Sequence, residues 1–178
     1  EEVASTRRRL HFDSLTEVLD DVRRMNAREH RSLGHWTLAQ VCKHLADSIK
    51  GSIDGLDMRR HRFKRWFLAR RMLAWTLENG IPPGVTVDPH LTPPPAVDMA
   101  TALAELQGAI RRYQTHRGKL RPHPLFGRMD RPTWDRLHCI HGAHHLSFIA
   151  AVGGAEGVWS KPGRGGVEKI EVQSSKAK

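Results

Sequence analysis

The chain lacks a run of about 18 apolar residues, so nothing in it reads as a membrane-spanning helix. It has two cysteines, Cys42 and Cys139, too few for a disulfide framework. Both read as small buried residues of a reduced, cytoplasmic protein. The opening EEVASTRRRL has no apolar signal core. No Met stands at residue 1, so a removed export signal remains compatible with the sequence. There is no GxSxG nucleophile, no phosphate loop and no Gly-rich dinucleotide fingerprint. No helix-turn-helix, zinc finger or solenoid-length repeat is found. Acids are also in deficit: 19 Asp and Glu against 29 Lys and Arg give a formal charge of +10 and a pI near 10.4.

What is present is 178 residues with 12 histidines. That length suits one domain burying roughly 70% of its unfolded surface. We expect a helical domain over residues 1–156 and a Gly/Ser/Lys-rich tail over 157–178, with VEKIEV in the tail as a short strand.

The stretch DRPTWDRLHCIHGAHHLSFIAAVGG, residues 130–154, reads as the last helix of an all-α bundle. Asp130 suits the N-cap and Pro132 the first turn. Gly153 and Gly154 give a stop. Trp134, His138, His141, His145, Phe148 and Val152 recur at spacings of four and three, on one stripe of one face. Buried imidazoles need partners. His141 and His145, at i, i+4, have Cβ atoms about 5–6 Å apart. Two ring nitrogens so spaced can converge on one divalent metal at about 2.0–2.1 Å. The competing reading is a pair of core histidines bonded to carbonyls, carboxylates or water.

Earlier in the chain, Ser14 and Glu17 form a candidate capping box ahead of an amphipathic helix over Leu15–His30. Thr37 and Gln40 form a second box ahead of a helix that stops near Gly55. The short link makes the two antiparallel neighbours. His44 lies at the edge of the inward stripe of that second helix, which by itself describes a boundary histidine with a wet ring. Asp47, three residues on, is placed to hold its ring nitrogen, or to be a solvated acid.

Residues 59–78 mix arginines with Phe63, Trp66, Phe67, Leu73, Trp75 and Leu77, as in a shorter helix packing aromatics inward and ended by Gly80. The proline-rich IPPGVTVDPHLTPPPAV then forms a long connection. A link this long between helix pairs allows a crossover, so that the second and third bundle helices can run parallel. His90 lies in it as a loop histidine. Asp98 can cap a further helix that Gly118 terminates. In the loop HPLFG, either the loop closes over the bundle end with His123 near a metal, or Leu125 and Phe126 plug the core and His123 is incidental.

RRRLHFDSLTEVLDDV, LGHWTLAQVCKHLADSI, HPLFG and WDRLHCIHGAHHLSF together resemble the DinB/YfiT-like metalloenzyme superfamily, in a branch of unknown function. The resemblance covers most of residues 7–150. It implies a four-helix bundle with up-down-down-up order and a long crossover connection carrying an extra helix. It makes His44, His141 and His145 the metal ligands. Characterised relatives include metal-dependent hydrolases and enzymes that use low-molecular-weight thiols, so the fold and metal transfer while the reaction does not.

With three imidazoles, one divalent ion is expected, Zn or Ni first, with Fe, Mn or Cu also compatible. It would lower the pKa of its water to about 7, or bind a substrate thiolate. His138, one turn before His141, is a candidate to shuttle a proton or orient a ligand, or a core polar residue with a carbonyl partner. The expected partners are a small-molecule substrate and a second copy in a homodimer. Two rival readings remain. The basic clusters Arg7–Arg9 and Arg59–Arg71 could bind nucleic acid or an anionic surface. Alternatively, the bundle could hold its metal without turnover.

Overall fold

The computed structural model describes residues 7–56, 66–85 and 89–152, and only the backbone of Trp66, Phe67 and His90. The described residues are mostly helical: α1 (Leu15–Asn26), α2 (Leu38–Asp54), α3 (Trp66–Asn79), α4 (Met99–Thr115) and α5 (Arg131–Leu146). A small antiparallel sheet joins β1 (His30–Ser32) to β2 (Ile149–Ala151), with Arg31 opposite Ala150. An all-α reading had no place for that sheet. No described helix is long and apolar enough to cross a membrane.

The helix starts follow local chemistry. Thr37 and Gln40 complete a reciprocal capping box on α2. Asp98 and Asp130 accept from the backbone N–H groups of Thr101 and Thr133. The Ser14 box is only half formed. Ser14 Oγ accepts from the Glu17 N–H, but the Glu17 carboxylate turns to the N–H of Asp13 instead.

The helix ends depart further from the local signals. α1 stops at Asn26 rather than His30, because His30–Ser32 leaves to pair with β2. α5 stops at Leu146, not at Gly153, so Phe148 and Val152 leave its stripe. Sheet pairing buries Ile149 and Ala150 completely, and residues near the N-terminus satisfy the freed helix end. The Arg8 guanidinium donates to the Leu146 carbonyl, and the Arg8 N–H donates to that of Ser147. α4 ends at Thr115 with His116 as its cap, two residues before Gly118. Among the described residues, only Gly55 and Gly80 end helices with φ in the left-handed half of the map, at +97° and +78°.

α1, α2, α4 and α5 share one core that includes Val22, Cys42, Leu106, Tyr113 and Leu146. The closest seam is α2 against α4. Buried Ala39, Ala46, Ala102 and Ala109 let these two backbones approach. Lys43 and Lys50 pair with Glu105, and Asp54 pairs with Arg112. Contacts that advance together in sequence mean that α2 and α4 run parallel, as the long connection between them allows. Asp21 is fully buried in α1 and is held by Arg8 at 2.8 Å and Arg24 at 2.7 Å.

α3 lies outside this core, against α5. Ala69 and Thr76 are buried, while Leu68, Met72 and Trp75 face solvent. The expected inward packing of aromatics is therefore reversed at Trp75. The residues from 59 to 65, the VEKIEV segment and the 157–178 tail lie outside the described residues.

Candidate metal centre

α2 and α5 bring His44, His141 and His145 together. One nitrogen from each ring lies within 4.8 Å of the other two. His141 Nε2 is 3.0 Å from His44 Nε2 and 3.0 Å from His145 Nε2. Nitrogens bound to one zinc at about 2.0–2.1 Å in a tetrahedron lie about 3.3 Å apart, so the spacing is close to that of a ligand set. His44 is only 2% exposed, so its ring is not the wet boundary group that local periodicity described.

The ring states follow from hydrogen bonding and burial. His44 Nδ1 donates to the Leu91 carbonyl at 2.8 Å, which leaves the Nε2 lone pair aimed at the other two histidines. Desolvation lowers the pKa of His44. It pushes His145 down to about 2, assisted by neighbouring His44 and His144. His141 is driven well below its ordinary value by burial and then by the surrounding histidines. Three imidazoles that resist protonation and point nitrogens at one locus are a donor set suited to a divalent cation. Without a cation, the three rings can satisfy one another only through a proton on His141 Nε2.

Trp36 forms one wall. Its ring stacks on His145 at 5.3 Å and tilts against His44 at 4.8 Å. The crossover forms another, pinned by helix side chains. His44 holds Leu91, His144 Nδ1 donates to the Ile81 carbonyl, and Gln40 Nε2 donates to that of Pro94. Trp36, His144 and the Leu91 carbonyl were not singled out by sequence. Trp36 had a faint signal, an aromatic just before a capping box, and His144 adjoins a candidate ligand. A backbone carbonyl carries no sequence signal at all.

The other candidate residues are placed elsewhere. Asp47 pairs with Lys43 at 2.8 Å, and Leu91 takes the ring nitrogen of His44 that Asp47 was positioned to hold. His138 is buried one turn before His141, stacked on Trp134 and edge-on to Tyr113. Its Nε2 has no hydrogen-bond partner among the described residues, and burial pushes its pKa to about 3. His123 stacks on Phe126 at 4.7 Å and lies near Trp134, seven residues or about 10 Å of helix before His141. Its Nδ1 accepts from the N–H groups of Leu125 and Phe126, and burial lowers its pKa to about 4. Phe126 packs on the core as a plug would, whereas Leu125 is 45% exposed. The structure does not describe the His90 side chain.

Two arginines of the N-terminal basic cluster are engaged internally. Arg7 lies over the Phe148 ring and donates to Ser147, and Arg8 grips Asp21.

No curated protein and no solved structure matches the chain. A family model does match, over residues 4–151, a span that includes the five helices, both strands and all three histidines of the centre. The chain therefore belongs to the uncharacterised family described as protein of unknown function (DUF1569).

Proposed function

We propose that this chain is a DinB/YfiT-like metal-dependent enzyme. In this reading α1, α2, α4 and α5 form an up-down-down-up four-helix bundle, and α3 is the extra helix on its crossover. The parallel course of α2 and α4 supports that order. The observation that carries the proposal is the convergence of three imidazoles, from positions 44, 141 and 145, within 4.8 Å.

His44, His141 and His145 would hold a divalent ion through their converging ring nitrogens, with Zn or Ni the first expectation. What a divalent ion contributes to such a site is Lewis acidity, which lowers the pKa of a water or a thiol presented to it. The residues of the chain do the rest. The Leu91 carbonyl keeps the proton of His44 on Nδ1 and the ring in register. Trp36 covers His145 and limits water on that side. His141 keeps some exposed surface where His44 and His145 are buried, which in this reading is the side by which a small substrate reaches the centre. His138 stays neutral at physiological pH, so its role in this reading is to position its neighbours, not to carry protons. His123 and Asp47 take no part in it. The reaction class is hydrolysis, or transfer from a low-molecular-weight thiol, since both need the same open position.

The test is elemental analysis of protein purified without a metal-binding tag, beside its His141→Ala variant. About one divalent ion per chain, lost in the variant with helicity retained, supports the assignment. A wild-type protein that stays empty and refuses added Zn²⁺ and Ni²⁺ refutes it.

A further inference from the structure

α3 carries a stripe that the rest of the described chain does not cover. Leu68, Met72 and Trp75, at i, i+4 and i+7, are 47%, 41% and 50% exposed. They are three of the six large exposed hydrophobics among the described residues, gathered on one helix of 14 residues. The opposite side of α3 is already used: Ala69 and Thr76 are buried, and Leu73 and Leu77 line an open groove of about 800 Å³ against the loop that carries His123. A contiguous apolar stripe on the wet side of a helix marks an interaction surface.

The charges beside the stripe specify the occupant. Arg71 and Glu78 are both exposed, and neither makes an ion pair among the described residues. At about 100° per residue they fall on the same flank of the stripe, two turns apart. When two copies of a helix pack antiparallel about a two-fold axis, each flank meets the same flank of the other copy. Arg71 then meets Glu78 of the second copy while Glu78 meets its Arg71, so both charges are matched at once. The axis falls midway between them, beside Trp75, and brings two indoles together. A parallel pairing would set this flank against the opposite one, where, among the described residues, Thr76 is buried against the chain itself and no charge is offered. One sequence thus carries both halves of a self-complementary surface.

We propose that the chain forms a two-fold dimer through the outer face of α3, with antiparallel helices, Trp75 at the axis and two symmetric Arg71–Glu78 pairs. The dimer does not depend on the metal assignment.

The test is the mass of the full chain in solution across micromolar concentrations, by sedimentation equilibrium. The wild type should be dimeric. Arg71→Glu and Glu78→Arg should each raise the dimer dissociation constant about tenfold or more, because each sets like charges together twice. The double variant Arg71→Glu/Glu78→Arg should return to within about threefold of the wild type. Far-UV circular dichroism should stay unchanged throughout, since these side chains are exposed. A wild type that is monomeric throughout would overturn the proposal. So would single reversals without effect, or a double variant as weak as the singles.

Discussion

At the scale of single residues, the candidate centre depends on groups that hold the three histidines as well as on the histidines themselves. Trp36 lies flat against His145 and leans on His44. Removing it frees two rings and admits water without deleting a nitrogen. On the proposed metal assignment, Trp36→Ala should keep a stoichiometry of one ion per chain while weakening affinity roughly tenfold, measured by chelator competition. Asp21 shows a different dependence. Its carboxylate is completely buried between Arg8 and Arg24, and Arg8 also closes the end of α5. Asp21→Ala would leave the Arg8 guanidinium without its counter-charge. It should cost about 3–5 kcal/mol in urea denaturation, as breaking buried pairs does.

At the scale of elements, α5 is positioned by its packing on α1. Gly142 sits between His141 and His145. A Cβ there would meet both methyl groups of Val18 at 3.0 Å. Gly142→Val should therefore cost about 1–3 kcal/mol by overpacking. Because the push separates α5 from α1, it should also weaken metal binding. Thermal denaturation with and without Zn²⁺ reads both effects, and an undiminished Zn²⁺-induced rise in Tm would count against the coupling. The elements also differ in how far sequence determined them. α2 was readable from both ends, since Thr37, Gln40 and Gly55 act within a turn of themselves. α5 was readable only at its start. Its stop at Leu146 depends on Arg8 and on β1, more than a hundred residues away, and no local signal reports either.

At the scale of the whole molecule, six histidines among the described residues share one response to acid. Burial lowers the pKa of His44, His123, His138, His141, His144 and His145 below the ordinary 6.5, with His138 at about 3 and His145 at about 2. In the unfolded chain these rings take up protons as pH falls through 6.5, while the folded protein leaves them neutral. The unfolded state then binds more protons, so stability is present above pH 6.5 and is lost as pH falls below it. Each ring contributes a slope of about 1.4 kcal/mol per pH unit at most. Metal-free protein should therefore unfold cooperatively in mild acid, with several protons taken up, as read by circular dichroism and potentiometric titration. A bound divalent ion should shift that transition to lower pH, because it adds stability that only the folded state has.

The sequence by itself determined what is settled within a few residues. The caps of α2, α4 and α5, the i, i+4 pairing of His141 with His145, and the apolar faces of α1 and α4 are all local to their helices. The tertiary structure decided what joins distant parts. His44 reaches His141 across 97 positions of sequence. Leu91 contributes only a backbone carbonyl, which every residue has. The three-residue strands have no stability of their own and exist only because folding brings them side by side. Local spacing decides which face a residue occupies. What that face meets depends on how the whole chain closes.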